Sequence, residues 1–338
     1  MSGPHDLLAR FTFGQPERAE AELRATLPPH VVARVDWSTL RREPNSVVDP
    51  ELRETESDLL FSARFSGGRP VLFYVLLEHQ SSVDRWMALR MLRYVVRQLE
   101  HWRKENSGHV LLPVIIPLVL YHGAGGAWSA PRRVEELFDV PDGRGGEERW
   151  NKLVPRFEYL LDDLTIEREE SLMARPGPPV VRLVLLLLAY GRTKELEKRL
   201  PGWAALAAQV YADLHGVDDL KAVFHYLLRV ADPPAQSAAV GMLRSAVGTQ
   251  RAEDMMSSWL EEQMAERFLA WNRKVKVQAK AEGIAESVLR ALAARGIHVD
   301  DSSRQRILSC TDLATLDRWF DRALTATRLS DVLDDLTQ

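Results

Sequence analysis

Two acids and an amide carry the chemistry this chain offers most readily: Asp58, Glu78 and Gln80. They lie in one stretch, E-T-E-S-D-L-L-F-S-A-R-F-S-G-G-R-P-V-L-F-Y-V-L-L-E-H-Q-S-S-V, from Glu54 to Val83. A strand sends alternate side chains to opposite faces, so Glu78 and Gln80 share a face that His79 does not. Gly67-Gly68 reads as the turn of an antiparallel pair. A two-residue loop would set Asp58 across from Leu77 and part the carboxylates. A three-residue loop, Gly67 to Arg69, pairs Ser66 with Pro70 and Asp58 with Glu78, and directly opposed residues have alpha carbons roughly 4.5 to 5.5 Å apart. Carboxylates that close repel unless a cation lies between them, and an oxygen-rich pair suits a hard ion such as Mg2+. The same acids would also serve as solvated residues at the ends of strands.

With its neighbours in order, this stretch resembles the PD-(D/E)xK nuclease superfamily and, more narrowly, the recombination-promoting nuclease family of YhgA-like transposases. The resemblance is carried by Pro4-His5-Asp6, Ser57-Asp58, Glu78-His79-Gln80-Ser81-Ser82, Met91-x-x-Tyr94 and Pro117-Leu118-Val119-Leu120-Tyr121-His122-Gly123, covering roughly residues 4 to 170. It implies a restriction-endonuclease-like α/β fold: a mixed sheet flanked by helices, with an all-α region after it. It also implies an Mg2+-dependent endonuclease that hydrolyses phosphodiester bonds of double-stranded DNA, linked to recombination or mobile elements, with Ca2+ or Mn2+ as alternative ions. Asp58 and Glu78 would hold the ion, with the His79 backbone carbonyl as a third ligand. Gln80 stands where the superfamily usually has lysine, and Ala9 and Arg10 stand where this family usually has Phe and Lys. Asp163 matches an acid often found in the family and takes a supporting role. Asp6 reads either as a site acid or as a helix cap, and His122 either as a substrate contact or as a turn residue.

The elements that must position these residues are legible around them. Val71 to Leu77 is continuously apolar, as a strand covered on both faces and lying inside a sheet is. Leu40 to Pro50, with two prolines, reads as an irregular or edge-strand approach. Short helices are expected through Phe13, over Pro16 to Ala25 and around Pro29 to Val35. After the hairpin, Ser81-x-x-Asp84 reads as a capping box opening a helix to Lys104. Trp86, Leu89, Leu92, Val95, Val96, Leu99 and Trp102 form its expected core stripe. Arg90, Arg93 and Arg97 form a second stripe, either a solvated face or a phosphate-contacting one. Leu118 to Tyr121 is expected as a core strand, Phe157 to Leu161 as another, and Pro141 to Glu148 as a surface loop.

Composition excludes several classes. The content is 46% hydrophobic and 27% charged over 338 residues, ordinary for a globular protein with room for two domains. The single cysteine, Cys310, rules out an intramolecular disulfide or cysteine-cluster zinc site and fits a bacterial cytoplasm. No apolar run reaches the roughly 18 to 20 residues of a membrane helix, and Met1 to Arg10 lacks a signal pattern, so neither export nor a membrane is expected. A net charge of -4 confines DNA binding to a local surface; between Ser82 and Lys104 six basic residues stand against two acids.

Met173 to Pro179 (M-A-R-P-G-P-P) reads as a linker dividing a nuclease-like domain, 1–172, from a helical domain, 173–338, suited to interaction or homo-oligomerisation. Helices are expected over Val180 to Tyr190, Trp203 to Leu214, Leu220 to Val230, Pro234 to Val247 and Ala252 to about Ala294. Short capped helices follow. Two other readings compete: a catalytically weak or inactive DNA-binding module, suggested by Gln80, and a helical interaction protein, suggested by the long second half.

Overall fold

The computed structural model describes residues 3–43, 58–78, 83–123, 125–141, 150 and 152–333, with backbone alone for 58, 76–78, 262–279 and 282. It divides into two compact units, Met1–Glu253 and Asp254–Gln338.

The first unit is α/β. Helices α1 (Pro4–Phe13), α2 (Pro16–Thr26) and α3 (Pro29–Val32) precede β1 (Val35–Arg42), β2 (Asp58–Phe65) and β3 (Pro70–Glu78). Helix α4 (Met87–Glu105) crosses to β4 (Val114–Tyr121), and a 3-10 turn at Val134–Leu137 precedes β5 (Leu160–Asp163). The sheet runs β1-β2-β3-β4-β5, antiparallel through β3 and parallel beyond it. The unbroken apolar run thus forms the middle strand, with a neighbour on each edge and helices over both faces. Pro117 falls inside β4, which therefore starts earlier than expected. It is tolerated because β5 pairs only with Leu118–Tyr121, so β4 up to Pro117 is an edge.

Strand parity sorts the two layers. Leu60, Leu72, Tyr74, Val119 and Tyr121 pack with Met87, Met91 and Tyr94 of α4. On the other face Leu59, Phe61, Val75 and Leu120 meet Phe13, Ala19 and Leu23 of α1 and α2.

Helix α4 departs from expectation in two ways. It begins at Met87, with Asp84 Oδ1 accepting from the Trp86 N–H at 2.8 Å, and Ser81 lies outside the described residues. Its core stripe is Met87, Ala88, Met91, Tyr94, Val95 and Gln98, while Trp86, Leu89 and Val96 are exposed. The helix is apolar around most of its circumference, and a sheet covers only one side.

After β5 only helices occur among the described residues. In the first unit these are α5 (Glu169–Met173), α6 (Pro179–Tyr190), α7 (Leu196–Arg199), α8 (Ala204–Ala212), α9 (Gly216–Val230) and α10 (Pro233–Val247). The expected boundary at 172/173 falls within this unit. Gly177 has φ +114°, and a Cβ there would lie 2.4 Å from Ala21 Cβ of α2, so the Pro/Gly-rich segment packs closely on the domain it was read as leaving. Every residue of α6 from Leu183 to Leu187 is fully buried.

Helix α11 (Thr249–Ala294) runs on into the second unit, which also holds α12 (Asp301–Ser309) and α13 (Leu313–Ala323). That unit has its own core, including Val288, Leu292, Ile307, Leu316 and Trp319. Asp300 and Asp312 cap α12 and α13 through the backbone N–H groups of Ser303 and Thr315.

Candidate functional site

The hairpin places the two strand-end acids, and its turn explains how. Phe65 N–H donates to Arg69 O and Gly68 N–H to Phe65 O, so the loop is Ser66-Gly67-Gly68. The three-residue length is as expected, but the loop begins one residue earlier than Gly67–Arg69. The last position of such a loop needs positive φ; Gly68 supplies it at +81°, where Arg69 would be strained. The register moves by two residues in consequence: Asp58 stands opposite Leu76, not Glu78, and Arg64 opposite Pro70. A shift of two preserves parity. Positions 58 and 78 share the α4 face of the sheet as diagonal neighbours rather than opposed ones.

Glu78 pairs with Tyr121 and Tyr121 with Asp163, so the C-terminal ends of β3, β4 and β5 lie side by side. His79 and Gln80 lie outside the described residues, and Asp58 and Glu78 are described by backbone alone. Among the described residues no three His, Cys, Asp or Glu side chains gather closely enough to hold a metal ion.

Asp163 is occupied by the loops around this edge. Its Oδ2 accepts from Trp128 N–H at 2.7 Å, and its Oδ1 from Thr165 N–H and Oγ1 at 3.0 and 2.6 Å. The carboxylate ties the segment after β4 to the turn after β5, where Leu164 N–H donates to Tyr121 O at 2.9 Å.

The opposite face carries a buried polar cluster that draws on distant parts of the chain. Asp6 sits in the first turn of α1, and its Oδ2 accepts from Gly3 N–H at 3.2 Å, the reach-back bond of a helix N-terminus. His5 beside it is buried, its ring 5.6 Å from that of His122, which follows β4. Tyr226 Oη of α9 donates to Leu187 O at 3.1 Å and so must accept from His5 Nδ1 at 2.9 Å. His5 Nε2 then accepts from Arg192 Nε at 2.7 Å, which fixes a neutral imidazole protonated on Nδ1. Burial pushes the Tyr226 hydroxyl pKa up, keeping it a proton donor. Arg10, also on α1, is half-buried.

A second buried cluster went unread in the sequence. Arg175 grips Asp162 through both terminal nitrogens, at 2.7 and 2.8 Å, and reaches Glu22 of α2 at 3.1 Å. Burial, with Asp162 adding its negative charge, pushes Glu22 well above the usual carboxylate range. The available signal was Glu22 itself, an acid within the apolar stripe of Ala19 and Leu23. Arg192 and Tyr226 gave no comparable signal.

On α4 all three arginines line one groove, with different surroundings. Arg90 donates to Tyr94 Oη at 3.0 Å and lies 3.8 Å from Asp84. Arg93 is exposed and Arg97 half-buried along a groove that also includes Trp86, Leu89 and Val96.

No solved structure matches the chain. The chain is 29% identical over 231 residues to recombination-promoting nuclease RpnA of Escherichia coli K12, covering 68% of this chain and 74% of that one. It is 27% identical over 231 residues to the inactive recombination-promoting nuclease-like protein RpnE of the same strain, covering 68% and 72%. It is 24% identical over 259 residues to recombination-promoting nuclease RpnC, also of that strain, covering 77% and 81%. A family model described as "Putative transposase, YhgA-like" matches residues 3–217, the sheet and most of the helices packed around it. On that match, which spans well over half its length, the chain belongs to the YhgA-like transposase family, with recombination-promoting nucleases among its relatives.

Proposed function

We propose that the protein is a metal-dependent DNA endonuclease of the PD-(D/E)xK type, hydrolysing phosphodiester bonds in a recombination or mobile-element setting in the bacterial cytoplasm. The observation that carries the reading is the shared parity of Asp58 and Glu78 on one face of the sheet, next to the β4 and β5 ends, in a chain whose relatives are named nucleases. The chemistry of the donor set suits a hard divalent ion: two carboxylates from adjacent strands, with a backbone carbonyl, that of His79, as the third ligand the resemblance implies. Mg2+ held there, or Ca2+ or Mn2+ in its place, would polarise the phosphate and make a bound water acidic enough to attack near neutral pH. The chain's own contribution is positional. The middle strand fixes Glu78, the Gly68 turn sets Asp58 diagonal to it, and Asp163 holds the flanking loops. Gln80 can orient an attacking water by hydrogen bonds, but it brings no charge.

The second reading, an inactive DNA-binding module, is favoured by Gln80 and by the inactive relative at 27% identity. Supercoiled plasmid incubated with and without Mg2+ or Ca2+, beside an Asp58→Ala protein, separates the two. Ion-dependent nicking that Asp58→Ala abolishes supports the nuclease. DNA retention in a gel without nicking supports the module.

A further inference from the structure

We propose that the outer face of α4 docks single-stranded DNA, with Trp86 as a stacking platform for an unpaired base at the end of the helix nearest Glu78. The proposal takes from the nuclease reading only the choice of DNA as ligand. Its physical basis is a groove of apolar and mostly basic side chains, exposed among the described residues.

Trp86 is 55% exposed, Leu89 50% and Val96 44%, on a helix whose opposite side is fully packed. These three line one groove with Leu92, three arginines (Arg90, Arg93 and Arg97) and one acid, Glu100. The backbone that carries the indole is held, since the Trp86 N–H donates to Asp84 and the next residue, Met87, is fully buried. The position of Trp86 along the sheet follows from simple lengths. The Tyr94 ring sits 5.3 Å from that of Tyr74, which fixes where α4 crosses β3. Helix α4 must run back along β3 to start the parallel strand β4. Trp86 is eight residues before Tyr94, about 12 Å at a helical rise. Glu78 is four residues beyond Tyr74, about 13 Å at a strand rise. The indole and the candidate ligand therefore lie at the same level, on the same side of the sheet.

An exposed tryptophan flanked by arginines is what a single strand needs: a π-face for a base and cations for its phosphates. A duplex offers phosphates but keeps its bases stacked, so it would leave the indole and Leu89 idle. A second copy of the chain is the other candidate occupant, and charge argues against it. The groove carries Arg90, Arg93 and Arg97 against a single acid, Glu100, so a twofold pairing of α4 with itself would bring an excess of like charges together.

The test is fluorescence anisotropy with a labelled oligothymidylate and a labelled duplex, in EDTA, on the full chain. Trp86→Ala should weaken single-strand binding roughly 5- to 150-fold, the range of one lost stacking contact. Duplex affinity should stay within about twofold, because phosphate contacts carry it. Trp86→Phe, which keeps a ring, should retain most single-strand affinity. Unchanged single-strand binding in Trp86→Ala, or an equal loss for both probes, overturns the proposal. So does sedimentation showing a wild-type dimer that Trp86→Ala dissociates. With no divalent ion present, a negative result leaves the carboxylate site standing, and loss of nicking in Asp58→Ala leaves the docking face standing.

Discussion

An amide at position 80 can accept and donate hydrogen bonds, but it cannot offset the negative charge that develops as a phosphodiester is attacked. In the proposed nuclease that charge falls to the ion or to an arginine. Gln80→Lys decides between these. If nothing else supplies a cation, the lysine should raise single-turnover cleavage at saturating Mg2+, by roughly tenfold or more. If another cation already does so, the lysine only repels the metal, and the Mg2+ dependence should move to higher concentration at unchanged maximal rate. A Mg2+ titration of the cleavage rate reads both outcomes. No change in either quantity would place Gln80 away from the chemistry.

At the scale of elements, α2, β5 and the turn before α6 are joined by Glu22, Asp162 and Arg175. One arginine faces two buried carboxyls, so a proton on Glu22 relieves the excess negative charge, and burial favours that neutral form further. The sign of the linkage follows. The folded state holds this proton more tightly than the unfolded state, so the stabilisation is complete below the ordinary carboxylate pKa. It is lost as pH rises through the higher folded value. Glu22→Gln keeps hydrogen-bonding capacity without titrating. Thermal melts from pH 5 to pH 9 should therefore show the wild-type Tm falling relative to that of Glu22→Gln as pH rises. Parallel curves would mean that Glu22 is ionised throughout.

Across the first unit, the helices after residue 173 are joined to its first helices by charge as well as by apolar packing. Arg18 of α2 donates twice, at 2.8 Å, to Asp219 of α9, and both side chains are less than a tenth exposed. Burial pushes Asp219 up while Arg18 pulls it down, with burial prevailing. Arg18→Ala would strand a buried carboxylate and should cost about 3 to 5 kcal/mol in urea unfolding. Replacing both partners with apolar residues of similar size, Arg18→Met with Asp219→Leu, should recover most of that. If the single change costs no more than an exposed ion pair, roughly 0 to 1 kcal/mol, the pair does not join these regions.

The antiparallel hairpin, the interior place of Val71–Leu77 and the helical character of the second half are legible in the sequence alone. Each follows from local rules: strand period, unbroken apolar runs, turn glycines and helix caps. The parity of Asp58 and Glu78 turned on whether the loop had two residues or three, and only the hairpin's hydrogen bonds show three, starting at Ser66 and moving the pairing by two residues. Tertiary structure decided the rest. The apolar arc of α4 is wider than the part the sheet covers, and which part that is could not be read locally, so Trp86 was misplaced in the core. The M-A-R-P-G-P-P segment has linker composition, yet Gly177 lets it lie against Ala21 and Arg175 anchors it to Glu22 and Asp162. His5, Arg192 and Tyr226 meet across more than half the chain, and no local pattern encodes a contact made only when α9 packs on α1.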